Sequence, residues 1–518
     1  MSADARFAAY EAIQRFLTQA KRPVAFEPGE EPMPLSAGSW ELRVDGGKLL
    51  LQVWTTERNL VRRITDVQLE TKGQLNLTIE RFGKRTGVLQ LLDVSHAAAG
   101  QKTKRAGRLA FRENFRRFLL RQFPGWRIAE LSSDPDLEHS LSPSHPRALL
   151  KKGNEAWAAI GAANTSDADF TLSFGLIWLD YLRRREAKTA ILGLAVFLPE
   201  KSERATCQRI RCLDPKLAEY HVFVHAEAWE QRIDVADAGN METSLPDRHA
   251  HTSIPGQVRE LTSIVGVELV ECAGEVSVRV RGLEFARWNG RELRYGIESK
   301  RVATQSNQSE ICALAASIAR SRDPGEGDRR SKLFSVAPER WLESRIRENL
   351  VSLDARLVAS PVYSQAPSFA AGERGIIDLL TADVEGRLNL IEIKATEDLH
   401  LPLQALDYWA RVKWHLDRGE FAARGYFPGL QLAPLSPRML LIAPALHFHP
   451  TTETIVRYFS SDVEVERIGL AASWRSELKV MFRACGGTPV ECEHNGEEYE
   501  TAGSAEAGPG CTGASESG

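Results

Sequence analysis

The chain has 518 residues, 43% hydrophobic and 26% charged, with 66 Lys/Arg against 69 Asp/Glu. That length predicts several domains, at roughly 100–200 residues each, and the apolar content excludes global disorder. The near-neutral total says nothing about partners. No run approaches the ~18 apolar residues of a membrane span, and the charges scattered through Met1 to Arg22 do not fit a secretory signal. Seven thinly spread cysteines without a CxxC pair argue against a disulfide scaffold and point to a reducing cytoplasm.

Charge is distributed unevenly. Residues 1–150 carry 23 Lys/Arg against 17 Asp/Glu, whereas residues 335–475 carry 15 against 18. Helical spacing is expected over residues 5–20 and strands over 40–95, with Asp45-Gly46-Gly47 as a hairpin turn. Residues 102–121 predict a basic helix on which Arg108, Arg112 and Arg116 share one face, with Arg117 beside them. That face is either a surface that follows a phosphate backbone or an ordinary solvated face, since Leu109, Phe111, Phe115 and Phe118 supply an apolar side.

The expected organisation is an α+β module with the basic helix over 1–130 and an α/β module without readable chemistry over 131–300. A helix and linker follow over 301–334, then a domain over 335–475 that carries the informative motifs, and a disordered acidic tail over 484–518. Within the middle region, Phe174 to Leu182 predicts a buried helix, and Ala190 to Leu198 and Val222 to Val224 predict buried strands. No internal repeat is evident.

Residues 338–411 carry the chemistry. Pro338-Glu339 predicts a helix start. At 100° per residue, Glu339 falls on the stripe of Leu342, Ile346 and Leu350, and Glu343 falls at its edge. An inward-facing acid is costly without a cation or a partner. Gly375 to Leu380 reads as a buried strand interrupted by one carboxylate, Asp378. After a turn at Asp383 to Gly386, Leu388 to Lys394 forms a second strand on which Glu392 and Lys394 share a face. Carboxylates converging at a sheet end make a hard-oxygen site suited to Mg²⁺ or Mn²⁺. Gln404, Tyr408 and Arg411 then lie on one helical face, suited to hydrogen bonds with phosphates or with the site.

The order Glu339, Ile377-Asp378, Glu392-Ile393-Lys394, Gln404-x-x-x-Tyr408 resembles the PD-(D/E)XK nuclease superfamily and the QxxxY element of its RecB-like branch. Its spacing also resembles the C-terminal domain of NucS-like endonucleases. Ile377 stands where the motif name has Pro. The resemblance implies an α/β restriction-endonuclease-like mixed sheet flanked by helices, cutting phosphodiester bonds, most readily those of DNA, with Mg²⁺ or Mn²⁺. It implies that Asp378, Glu392 and the Ile393 carbonyl hold the metal, that Lys394 is the catalytic lysine, and that Glu339 completes the site with Glu343 as fallback. Gln404 and Tyr408 would support the site or grip DNA. Arg108, Arg112, Arg116, Arg117 and Arg411 are the candidate nucleic-acid contacts, and pairing of chains into a homo-oligomer is open. The competing reading is a nucleic-acid-binding or scaffolding protein whose nuclease-like fold holds only a buried ion-pair cluster. Cys312, Cys485, Cys492 and Cys511 flank the segment but are spaced poorly for an iron–sulfur cluster. His447 and His449 lack a third ligand and read as structural.

Overall fold

The computed structural model describes residues 3–488 except 28–32, 36–39, 55–58, 72, 82–84, 96–100, 227–228, 238, 240, 242, 249–253, 273–274 and 371–372. The tail expected at 484–518 therefore lies, from 489 on, outside the described residues, as do Cys492 and Cys511. The described chain is mixed α/β and builds its cores around several sheets. None of its helices is long and apolar enough to cross a membrane.

The first sheet follows helix α1 (Ala3–Gln19) and comprises β1 (Pro23–Phe26), β2 (Met33–Pro34), β3 (Trp40–Asp45), β4 (Lys48–Trp54), β5 (Asn59–Thr71), β6 (Gln74–Arg81) and β7 (Arg85–Asp93). It is antiparallel, in the order β2-β1-β7-β6-β5-β4-β3. Alternate residues of β4 (Leu49, Leu51 and Val53) meet Ile13 and Phe16 of α1 in its core, the period-2 and period-3.6 faces that the sequence calls for. Gly46 and Gly47 close the β3–β4 hairpin with φ of 52° and 72°, a two-residue turn that disfavours any side chain.

The second sheet begins with helix α2 (Gln101–Gln122) and β8 (Arg127–Ser132), then β9 (Arg147–Lys152), β10 (Glu155–Gly161), α3 (Thr165–Arg185), β11 (Ala190–Pro199), α4 (Glu203–Ile210), β12 (Glu219–His225) and β13 (Glu230–Ile233). The module boundary expected at 130 falls inside β8, which pairs with β9. The basic helix α2 also belongs here, because Phe111, Phe115, Phe118 and Leu119 bury one face of this sheet. A charge count follows net composition and cannot see which sheet an apolar stripe will cover.

A small third unit carries α5 (Gly256–Glu260), β14 (Val267–Cys272), β15 (Glu275–Val280), β16 (Leu283–Trp288), β17 (Leu293–Tyr295), β18 (Arg301–Val302) and α6 (Gln308–Ser321). Its antiparallel meander packs Val278, Val280 and Phe285 on Ile311, Ala315 and Ile318 of α6. The region expected as one module over 131–300 is thus divided between two sheets.

The last sheet follows α7 (Lys332–Ser335), α8 (Pro338–Glu348) and α9 (Leu350–Leu353). It contains β19 (Tyr363–Ala370), β20 (Glu373–Ala382), β21 (Leu388–Ile393), β22 (Arg438–Pro444), β23 (Val465–Leu470) and β24 (Val480–Cys485). Helices α10 (Leu401–Asp417) and α11 (Glu420–Ala423) separate β21 from β22, and α12 (Thr452–Val456) precedes β23. The strands lie in sequence order. β19–β20–β21 and β23–β24 are antiparallel, and β21–β22–β23 are parallel. Trp341, Leu342 and Ile346 of α8 cover one face, and Leu403 and Leu406 of α10 cover the other. Both faces of β21 are therefore buried, which explains its nearly unbroken apolar run.

Candidate active site

Asp378, Glu392 and Lys394 come together where the pairing of β20 with β21 stops and β21 ends. The backbone N–H of Ile393 donates to Asp378 Oδ2 at 2.9 Å, which fixes the carboxylate of β20 against the end of β21. Glu392 is 2% exposed, and its Oε2 is buried with no hydrogen-bond partner among the described residues. Lys394 lies one residue beyond β21. Its N–H donates to Ile442 O at 3.0 Å, extending the register with β22, and its Nζ is 3.3 Å from Asp398 Oδ2.

Helix α8 brings the remaining acids. Glu343 is the more deeply buried, at 3% exposure, while Glu339 is half-buried. The order expected from helical angle is reversed because Glu343 has cationic partners that periodicity cannot show. Arg340 Nη1 donates to Glu343 Oε2 at 2.8 Å and to Asp378 Oδ1 at 3.3 Å. Arg279 of β15 approaches Glu343 Oε1 at 3.7 Å. Arg340 stands inside the motif and three residues before Glu343, so an i,i+3 pair was readable. Arg279 belongs to another unit and gives no local signal.

The electrostatics follow from this crowding. Burial, then Glu343, push Asp378 up to about 7, against Arg340, the Ile393 N–H and Lys394. Burial and Asp378 hold Glu392 well above the usual carboxylate range. Burial alone would lower the Lys394 ammonium, but Glu339, Glu392 and Asp398 outweigh it and keep it above its ordinary value. Glu339, Asp378, Glu392 and Lys394 therefore share one electrostatic neighbourhood.

One oxygen of the acids, Glu392 Oε2, is the hard donor left without a partner among the described residues. Among the described residues, no three His, Cys, Asp or Glu side chains gather closely enough to hold an ion alone. The set that the resemblance implies is Asp378, Glu392 and the Ile393 carbonyl. Of its carboxylate oxygens, Asp378 Oδ2 accepts from the Ile393 N–H and Oδ1 from Arg340, and Glu392 Oε2 has no partner among the described residues.

Other candidate residues are placed less openly than their spacing implies. Gln404 Nε2 donates to Tyr408 Oη at 3.2 Å on α10. Tyr408 and Arg411 are buried, at 6% and 9% exposure, and burial lowers the Arg411 pKa. Arg108, Arg112, Arg116 and Arg117 are half-buried on α2, which lies between the second sheet and strands β1 and β2. Arg116 pairs with Glu113 at 3.0 Å, and Arg117 approaches the same carboxylate at 3.7 Å. His447 Nδ1 donates to Ala395 O at 2.7 Å and His449 Nδ1 lies 2.7 Å from Thr451 Oγ1.

One arginine that sequence reading missed braces the approach to α8. Arg322 is 0% exposed and donates to the carbonyls of Leu333, Arg281 and Val336. It therefore ties the entry to α8 to the third unit. In comparison with known proteins, the sequence matches no family model, and no curated protein matches it.

Proposed function

We propose that the protein is a metal-dependent nuclease acting on DNA, with its centre at Asp378, Glu392 and Lys394. The observation that carries this reading is a pair of carboxylates on adjacent strands, Glu392 buried with an oxygen unpartnered among the described residues and Asp378 partly buried, beside the ammonium of Lys394, which Asp398 holds at 3.3 Å. Such a group is costly for folding alone. The mixed sheet between α8 and α10 agrees with the restriction-endonuclease-like fold that the motif order implies, and on this reading residues 332–485 form that domain.

Asp378, Glu392 and the Ile393 carbonyl would hold Mg²⁺ or Mn²⁺, which when bound supplies positive charge against the phosphate and makes water more acidic. Lys394 presents its ammonium to the charge that develops on the phosphate oxygens and orients the attacking water. Asp398 and Glu339 keep that ammonium charged and in position. Gln404 and Tyr408, bonded to one another, brace the α10 side. Arg411, being buried, would support the site from behind. The half-buried α2 arginines would grip the backbone where their guanidinium edges emerge.

The test is a cleavage assay on DNA with Mg²⁺ or Mn²⁺. Asp378→Ala, Glu392→Ala and Lys394→Ala should each lower the rate by roughly a hundredfold or more while leaving the circular dichroism spectrum intact. Unchanged cleavage in all of them would end the proposal. A second reading, a silent scaffold, draws on Arg340, whose guanidinium already bridges Glu343 and Asp378. Calorimetric titration with Mn²⁺ separates the two, because on the scaffold reading no heat should depend on Glu392.

A further inference from the structure

The second and last sheets are the same fold. Each starts with a helix on one face (α2, α8), then runs three antiparallel strands, a crossover helix on the opposite face (α3, α10), a parallel strand, a short helix (α4, α12), a second parallel strand and an antiparallel edge strand. The pairings agree strand for strand.

The two copies are also joined reciprocally. Helix α3 packs on α12, and α4 packs on α10. Exchanging the copies turns one contact into the other. Leu213 and Phe459, each three residues beyond its short helix, form an antiparallel bridge. Across it Asp214 N donates to Tyr458 O and Ser460 N donates to Cys212 O, both at 2.9 Å. Leu172, Leu176, Leu194 and Val196 of the first copy and Leu403, Leu406, Leu390 and Leu441 of the second then share one hydrophobic core. This is the arrangement of an isologous dimer, made within one chain.

Register identifies what the first copy holds at the position of the site. Lys394 N donates to Ile442 O, and Ala162 N donates to Phe197 O, at the same step of the corresponding parallel ladders. Ala162 thus corresponds to Lys394 and Ile160 to Glu392. Leu379 pairs with Ile391 as Ala148 pairs with Ala159, so Arg147 corresponds to Asp378. Ile160 and Ala162 are fully buried apolar residues. Arg147 is 6% exposed, its guanidinium donating to Asp134 O at 2.9 Å and lying over Trp178. None of the three supplies a carboxylate or an ammonium to a phosphate.

We propose that one chain is a fused pseudo-dimer with one cutting half and one silent half, and that on duplex DNA it makes single-strand breaks. This rests on the nuclease reading above. The strands of a duplex run in opposite directions, so cutting both in one encounter calls for two centres related by a two-fold axis. Here the partner's place is filled by the first copy, which has no centre. Each break consumes one water. The water oxygen bonds to phosphorus, the bond from phosphorus to the leaving sugar oxygen breaks, and that oxygen takes up a proton.

The experiment incubates the full chain and its Lys394→Ala variant with closed supercoiled DNA and Mg²⁺ or Mn²⁺. Nicked and linear products are followed by electrophoresis, and mass in solution is measured by light scattering. The expected result is a 57.6 kDa monomer that accumulates nicked circles before any linear product, first order in protein and dependent on Lys394. Linear product from the outset, or a dimer with a rate second order in protein, overturns the single-strand proposal and leaves the nuclease reading standing. No Lys394-dependent cleavage overturns both.

Discussion

Glu392 lies 2% exposed with Oε2 unpartnered among the described residues, and both burial and Asp378 on the neighbouring strand disfavour its charge. If this group exists to hold a cation, Glu392→Gln should separate stability from chemistry. In a chelator the amide keeps the shape and removes the charge, so the thermal midpoint should stay level or rise by a few degrees, the scale of about 1 kcal/mol. The wild type should gain stability from Mn²⁺ through linkage, and the variant should not. Thermal melts with and without Mn²⁺ check both halves, and equal gains in the two proteins would remove Glu392 from the ion site. His225 is a second buried titratable side chain. Burial, chiefly, takes it from its usual 6.5 to about 4, against its bond to Ala162 O and the nearby Glu230, with Arg22 adding to the lowering. Its folded value is depressed, so the neutral imidazole contributes stability above pH 6.5, which is lost as pH falls towards 4. The contribution is on the order of 3 kcal/mol. Chemical denaturation of wild type and His225→Gln across that range should show a shallower decline in the variant, and parallel curves would show that His225 does not drive the acid loss.

Helix α8 shows how far an element depends on chain that its own sequence does not contain. Its start was legible from Pro338, and its stripe from Leu342 and Ile346, both fully buried, whereas Leu350, expected on the same stripe, begins α9 and is buried there. The hairpin carrying Asp378 and Glu392 and the helix carrying Gln404 and Tyr408 were legible as well, because short apolar runs and helical spacing report local burial. The rank of Glu339 and Glu343 was not, since Arg279 reaches Glu343 from the third unit. That unit meets α8 backbone to backbone. Gly282 has φ of 78°, and a Cβ there would fall 1.8 Å from Arg340 O and 2.3 Å from Arg340 C. Gly282→Ala should therefore force the third unit away from α8 and shift the acids, although no side chain of the site is altered. We expect a loss of several kcal/mol, in the range of overpacking plus backbone strain, and a fall in cleavage rate measured well below the melting temperature. Unchanged rate and midpoint would mean that α8 holds its place without this contact.

The duplication of the six-stranded mixed sheet with its flanking helices could not be read in the sequence, because what the copies share is strand order and pairing while the chemistry-bearing positions differ. Arg147, Ile160 and Ala162 stand where Asp378, Glu392 and Lys394 do, so a search for recurring motifs finds no second instance. Buried strands admit many apolar residues at one position, and identity decays while topology is kept. The same arrangement argues that the acidic C-terminal half should not stand alone. Leu403 and Leu406 of α10 and Ile455 of α12 share a core with Leu172, Leu176 and Leu179 of α3. Arg209 of α4 also binds Asp407 of α10 through two bonds, at 2.9 and 2.7 Å. Residues 332–488 expressed alone would expose that apolar face and leave Asp407 without its guanidinium. Exposed apolar patches of this kind drive association. The fragment should aggregate or bind a hydrophobic dye strongly, whereas the full chain should do neither, and light scattering with dye fluorescence compares them directly. A monomeric fragment with a cooperative melt and no dye binding would show that the halves are independent domains in contact, and the silent copy would then have to be explained by something other than a shared core.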